Sequence, residues 1–252
     1  MSSSKISVRN ISKTFGSNHV LKGINFDVMK GESFVIMGGS GTGKSVLIKS
    51  IIGLLMPDKG SQVLLEGEDI TFLPLSKRLH FIDRCGVLFQ GGALFDSLTV
   101  WENICFSQIQ EKSISKDDAR EKALSKLKLV GLDEKALDLF PSELSGGMVK
   151  RVALARAISN DPEIIFFDEP TAGLDPIMSG VISELIKSLS KQLGATTITI
   201  THDMNCAMRI ADKAALIYKG QFIWQGNGSE LNSSGNEFVD QFVHGRPTGP
   251  IY

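Results

Sequence analysis

Three cysteines in 252 residues, none spaced as CxxC, leave this chain without a disulfide framework or a zinc site. Cys85, Cys105 and Cys206 are read as reduced core thiols, the usage of a cytosolic protein. No uncharged apolar run reaches the roughly 18 residues of a membrane helix. The richest, SVLIKSIIGLLM, is broken by Lys49, so work at a membrane would leave the spanning to other chains. The first residues, MSSSKISVRN, carry no apolar core, and no secretory leader is expected. An excess of one charge is also missing: 27 Lys and Arg stand against 28 Asp and Glu, a formal net charge of -1. That gives no support to a nucleic-acid partner held through its phosphates. There is no heptad run, internal repeat or low-complexity block. What remains is 42% hydrophobic and 22% charged, an ordinary globular core in one large domain or two small ones.

Residues 6–36 alternate apolar and polar positions in short runs (ISVRN, INFDV, SFVIM) separated by turn residues, which predicts mostly antiparallel strands. SQVLLEGEDI and RCGVLFQ read as further strands. Helical apolar spacing returns in SVLIKSIIGLL, from about Ser115 to Val130, in SGGMVKRVALARAIS and in MSGVISELIKSLSKQLG. EIIFFDEP is an unbroken apolar run, as in a parallel strand buried on both faces, and ATTITITHD follows as another strand. The alternation predicts an α/β fold around a largely parallel sheet. The tail after Gly235 reads as loop-like.

The chemistry starts at Gly38-Gly39-Ser40-Gly41-Thr42-Gly43-Lys44-Ser45, a full GxxxxGK[ST] match between a strand and a helix. Glycines let main-chain N–H groups wrap an anion, and the helix behind points its positive end at the same place. Lys44 would reach the β- and γ-phosphates and Ser45 would bind Mg²⁺. Asp168, at the end of IIFFD, would hold Mg²⁺ through water, and Glu169 would orient or deprotonate an attacking water. These two elements imply nucleotide hydrolysis. A second anion site opens at Ser145-Gly146-Gly147, again a turn leading into a helix. One triphosphate does not need two such loops from one molecule, so the pair fits a nucleotide clamped between two subunits.

With LSGGMVKR followed by IIFFDEPTAGLD, nearly the whole chain resembles the ATP-binding cassette ATPases, in the family's order. The resemblance implies an α/β P-loop NTPase fold: a RecA-like core with an antiparallel β subdomain and an inserted α-helical signature subdomain. It implies one domain over 1–235, with the β subdomain and core at about 1–90 and 160–235, the helical subdomain at about 91–159, and a C-terminal extension at 236–252. By resemblance Phe15 stacks on adenine and Val46 completes the ATP-binding loop. Gln90 is the Q-loop glutamine that touches Mg²⁺ or the attacking water, Asp175 belongs to the D-loop, and His202 is the switch histidine at the γ-phosphate. Taken singly, Phe15 reads as core and His202 as structural; their joint order carries the match. Met148 departs from the commoner LSGGQ signature but leaves Ser145 and Gly147 in place.

FQGGALFDSLTVWENICF and the tail FVHGRPTGP resemble ATPases of Mla-type phospholipid-transport and Mce-type systems. That closer resemblance implies ATP and Mg²⁺ as cofactors and a homodimer of ATPase subunits. It implies an integral membrane permease, a small STAS-type regulatory subunit and an Mce-domain lipid-binding protein as partners. The place implied is the cytoplasmic face of the inner membrane, peripherally bound, and the task phospholipid transport between bacterial membranes. A soluble ATPase of iron–sulfur cluster assembly is the alternative. A DNA-repair or chromosome ATPase would need a long coiled coil that is not there. Leu94, Phe95, Leu98 and Trp101 are expected to line a docking groove for the permease, with Trp101 equally readable as core. The tail is expected to lie on the partner subunit.

Overall fold

A computed structural model describes residues 4–251. β1 (Ser4–Phe15) and β2 (Asn18–Met29) form a long antiparallel hairpin, and β3 (Ser33–Met37) leads through the glycine loop into α1 (Lys44–Ile51). β4 (Gln62–Leu65), β5 (Glu68–Asp69), α2 (Leu75–Ile82) and β6 (Cys85–Leu88) follow. A helical stretch comes next: α3 (Val100–Ile104), α4 (Phe106–Gln110), α5 (Lys116–Leu129) and α6 (Gly146–Ala157). The chain returns to the sheet through β7 (Ile164–Asp168), α7 (Pro176–Leu193), β8 (Thr196–Thr201), α8 (Met204–Ile210), β9 (Lys213–Tyr218) and β10 (Gln221–Asn227), and reaches α9 (Glu237–His244).

Among the described residues the strands make two sheets. The smaller runs β2-β1-β4-β5 and is antiparallel. The larger runs β10-β9-β3-β8-β7-β6, parallel from β9 to β6, with β10 antiparallel at one edge. Period-two alternation sorts its side chains into two cores. Phe34, Ile36, Ile164 and Phe166 face α1 and the antiparallel sheet, with the Phe26 and Phe34 rings stacked at 4.8 Å. Val35, Met37, Ile165 and Phe167 face the other way, onto α3, α5, α6, α7 and α8. All five residues of β7 are buried, which is why IIFFD shows no alternation in sequence. The fold class is therefore the one expected.

Some elements differ from the sequence pattern. α2 is not visible in it because the helix has inverted faces: Arg78 is buried, donating to the carbonyls of Gly53 and Thr71, while Leu79 is exposed. Trp101 is core, and Leu94 packs on the same core, so of the four side chains expected to line a docking groove only Phe95 is strongly exposed; Leu98 is half-buried. The tail is not loop-like throughout. Asn236 caps α9, Val239 is wholly buried in the main core, and the Phe238 ring sits 5.4 Å from that of Tyr218. Residues 245–251 turn back on this helix, where the Ile251 amide donates to the Gln241 side-chain oxygen at 2.8 Å. In the single chain the tail follows the alternative to the expected place on a partner: α9 packs on its own subunit because four apolar side chains at helical spacing, Phe238, Val239, Phe242 and Val243, find the chain's own core.

One ion-pair cluster joins the two sheets. The Lys5 ammonium, on β1 and nearly inaccessible, meets Glu66 at the β4–β5 turn and Glu163 just before β7, and Arg84 bonds both carboxylates from just before β6. Arg84 first, then Lys5, pulls the Glu163 carboxyl down from 4.5 to about 2, and Glu66 is lowered by the same two cations. Carboxyls depressed in this way stabilise the fold above their ordinary range and lose that contribution as pH falls toward their folded values. Glu163→Gln should therefore shrink the difference in thermal midpoint between neutral pH and pH ~3, measured by scanning fluorimetry. Deleting the chain from Glu237 onward removes the buried Val239, about 2 kcal/mol; its midpoint should fall by roughly 4–8 °C, whereas a tail folded only on a partner would leave the monomer's midpoint unchanged.

Candidate active site

The site forms where three parallel strands end together: β3 at the glycine loop, β7 at Asp168 and β8 at Thr201. Ligands in open α/β sheets sit at such carboxyl ends. The loop is tight for specific reasons. At Gly38 an added Cβ would fall 2.7 Å from the Ile217 carbonyl oxygen. Gly43 has φ 102°, and a Cβ there would meet Leu21 at 2.9 Å and the Val20 carbonyl at 3.1 Å. The Thr42 hydroxyl donates to the Gly39 carbonyl at 2.9 Å and braces the turn. Ser40 and Gly41 are its exposed crest, Ser45 opens α1, and Val46 packs half-buried against the core beneath.

Lys44 is buried at the start of α1. Its ammonium donates to the carbonyls of Gly38 and Gly39 at 2.7 and 2.9 Å and stands 3.4 Å from Glu169. The Ser45 hydroxyl donates to Asp168 at 3.3 Å. Asp168 and Glu169 are adjacent and only 5% and 6% exposed. Burial, and then the Glu169 charge, push the Asp168 carboxyl up, against the Ser45 hydrogen bond and the nearby lysines. Glu169 has φ 50°, a left-handed conformation unusual outside glycine, fixed by its amide donating to the Ile200 carbonyl at 3.0 Å. That twist turns the carboxylate toward His202, whose amide and Nδ1 lie 3.2 and 2.8 Å from the same Glu169 oxygen. The His202 ring is itself largely exposed.

The structure thus brings together Lys44, Ser45, Asp168, Glu169 and His202. The other expected residues stand apart from that cluster. Gln90 is exposed, two residues past the Leu88–Phe167 pair. Phe15 is exposed at the end of the β1–β2 hairpin rather than in the core, with the Lys13 ammonium 5.3 Å from its ring. The Ser145 hydroxyl caps α6 by accepting from the Met148 amide, which leaves Ser145 and Gly146 exposed and Gly147 against the Met178 side chain. Asp175 caps α7, accepting from the amides of Ile177 and Met178. A cavity of about 450 Å³ lies between His202, Asp203, Thr171, Leu174 and Pro176. A further buried cation that the sequence reading gave no role is Lys150 on α6, whose ammonium is 3.5 Å from the Glu169 carbonyl oxygen. Its signal in the sequence is a lysine in register with Ala153, Leu154 and Ala157 on the apolar face of a helix.

The family model described as ABC transporter matches residues 21–172, which hold the glycine loop, Gln90, the SGG turn and both acids. The chain belongs to the ABC transporter family. This cassette binds ATP and couples its hydrolysis to transport. It is 41% identical to the intermembrane phospholipid transport system ATP-binding protein MlaF of Haemophilus influenzae, over all of this chain and 94% of that one. It is 40% identical to the probable ribonucleotide transport ATP-binding protein mkl of Mycobacterium leprae, over 98% of this chain and 70% of that one. A dimeric ATP-binding cassette in a post-hydrolysis state, bound to ADP and Pi, superposes with a TM-score of 0.80 at 30% identity, covering 88% of this chain and 98% of its own. The cassette's loop geometry gives a direct check. Gly43→Ala would force a side chain into a left-handed backbone against Leu21, so ATP affinity by calorimetry should fall at least ~10-fold, about 1.4 kcal/mol, with the fold retained.

Proposed function

We propose that the chain is the ATPase subunit of a phospholipid transporter, and that two copies close head-to-tail over two nucleotides, each held between the glycine loop of one copy and the SGG turn of the other. The observation that carries the chemistry is the hydrogen-bonded set of Lys44, Ser45, Asp168, Glu169 and His202 at the end of three strands. The end-to-end match to an intermembrane phospholipid transport protein supports the cargo, and the matched relatives are transport proteins, which favours transport over iron–sulfur cluster assembly.

Backbone amides of residues 39–45 surround the phosphates, and Lys44 leaves its loop carbonyls to reach the β- and γ-phosphates. The oxygen donors Ser45, Asp168 and Gln90 suit magnesium, which prefers one or two carboxylates beside phosphate oxygens and waters. Bound there, the ion would supply positive charge to the phosphate oxygens. Glu169 orients the attacking water and takes its proton, and the His202 ring steers Glu169 and meets the γ-phosphate. Ser145 and Gly147 of the facing copy add hydrogen bonds to charge that develops in a loose transition state. Phe15 stacks on adenine, and Asp175 lies where two copies meet.

The exposed Phe95 ring, 4.3 Å from Phe106, borders a cavity of about 490 Å³ with Phe89, Ala93 and Arg156, just beyond Gln90. This groove takes an apolar helix end of the permease. Among the described residues no helix is long and apolar enough to cross a membrane; the chain is held peripherally at the cytoplasmic face of the inner membrane through that contact. A STAS-type subunit and an Mce-domain lipid-binding protein complete the assembly.

Purification of the tagged chain from membranes should bring a multi-span permease, and the reconstituted complex should show ATP-dependent phospholipid movement between vesicles. Glu169→Gln should retain ATP binding and lose at least ~100-fold in hydrolysis, about 2.7 kcal/mol of barrier. A loss under tenfold rules out Glu169 as the group that activates the water. Phe95→Asp should lower permease-stimulated hydrolysis while leaving the isolated chain's rate unchanged; full permease binding by this variant places the contact elsewhere.

A further inference from the structure

We infer that Lys150 is a positioning residue for hydrolysis: it reaches from the signature helix α6 to the backbone of Glu169 in the same subunit and helps to hold that residue in its twisted, left-handed conformation. The inference rests on the role proposed above for Glu169.

Lys150 has no reason to be where it is on packing grounds. It is 4% exposed on the face of α6 that carries Ala153, Leu154 and Ala157, a face otherwise apolar. An ammonium in such a place loses its hydration and is tolerated only with a partner of opposite polarity. Its one hydrogen-bonding contact among the described residues is the main-chain carbonyl of Glu169. The Nζ atom lies 3.5 Å from the Glu169 carbonyl oxygen, the outer limit of a hydrogen bond, and it feels the charges of Asp168 and Glu169. Burial holds its ammonium below the ordinary lysine value, and the two carboxylates oppose that shift.

The carbonyl it touches belongs to a residue whose backbone needs a restraint. Glu169 at φ 50° is held on its amide side by the Ile200 carbonyl at 3.0 Å. On the carbonyl side the Ala172 amide donates at 3.2 Å from within the local turn, and Lys150 adds a donor from a different element. A left-handed non-glycine residue costs on the order of 1–3 kcal/mol and persists where its surroundings over-determine it. The turn alone could shift with its own residue; an amide tied to β8 and a carbonyl tied to α6 fix the peptide from two separate elements. The carboxylate then points at His202 and away from its neighbour's charge. α6 begins at Ser145, so one rigid helix carries both the group addressed to the facing copy's nucleotide and, about 7.5 Å further along its axis, the lysine that sets this copy's own Glu169.

The test compares Lys150→Met and Lys150→Arg with the wild-type chain, alone and on a Glu169→Gln background. Lys150→Met keeps the length and removes the charge. Its thermal midpoint without nucleotide should stay equal or rise, since a buried charge has gone. Its kcat should fall at least ~10-fold with KM for ATP within about twofold, because the phosphate loop is untouched. Lys150→Arg, which keeps a cationic donor, should recover most of that loss. On the Glu169→Gln background Lys150→Met should cause no further loss, as expected of a residue that acts through Glu169. A midpoint that drops with kcat, an Arg variant as slow as the Met variant at unchanged midpoint, or an equal further loss without the Glu169 carboxylate each overturns the inference. If instead Glu169→Gln alone loses less than tenfold, the reading of Glu169 fails and not only that of Lys150.

Discussion

Two carboxylates side by side at the buried end of one strand set the problem that the surrounding chain answers. Asp168 and Glu169 are both almost inaccessible, and like charges taken out of water repel one another strongly. The fold brings two ammonium groups to that level: Lys44 from the head of α1, 3.4 Å from the Glu169 carboxylate, and Lys150 from α6, 3.5 Å from the Glu169 main-chain carbonyl. It also turns the carboxylates apart, with Asp168 toward Ser45 and Glu169 toward His202. Strand β7 ends in two acids at a level to which helices on both sides of the sheet bring positive groups.

Much of this is legible in the sequence because the chemistry sits in contiguous motifs. IIFFD shows by its unbroken apolar character that it is buried on both faces; SFVIM, grouped by its sequence with the alternating antiparallel runs, is in fact a parallel strand between β8 and β9. Each hands directly to the functional residues. The glycine loop, Asp168, Glu169 and His202 can be read because chain order alone places them at strand ends. What stays hidden depends on faces and partners. α2 buries an arginine and exposes a leucine, the reverse of the usual pattern. Trp101 and Leu94 look available because a run of apolar residues does not tell which of them the helices above will cover. α9 is masked by the glycines and prolines beyond it, although its four apolar residues carry the correct spacing. Lys150 is silent because the signature motif is defined by its glycines, and a charged residue on the inward side of a helix resembles one on the outward side until the partner strand is in place.

Most of the residues that remain outside the central cluster share a property: Phe15, Ser145, Gly146, Asp175 and Gln90 are exposed in the single chain, while Gly147 and Val46 are half-buried. Their side chains, where engaged, serve local duties such as capping α6 and α7. In the pairing proposed above, the phosphate loop and acids of one copy would be complete and these exposed residues would lie open to the second. Such a division would suit a motor, since chemistry that needed two copies would be held back until the copies met.

The seat of Gly43 against Val20 and Leu21 fixes more than a turn. The Lys22 amide also bonds the Gly220 carbonyl at 2.9 Å, so the hairpin is pinned on two sides close to the glycine loop. The hairpin ends in Phe15, so these contacts tie the strands that carry that ring to the glycine loop, a calliper whose jaws, on the proposed reading, take the base and the terminal phosphates. An aromatic platform discriminates weakly among bases, since every base offers a flat face, whereas a jaw of fixed span is severe about chain length. With Phe15 as the base platform proposed above, discrimination among nucleotides would fall to the phosphate end of the site rather than to the base.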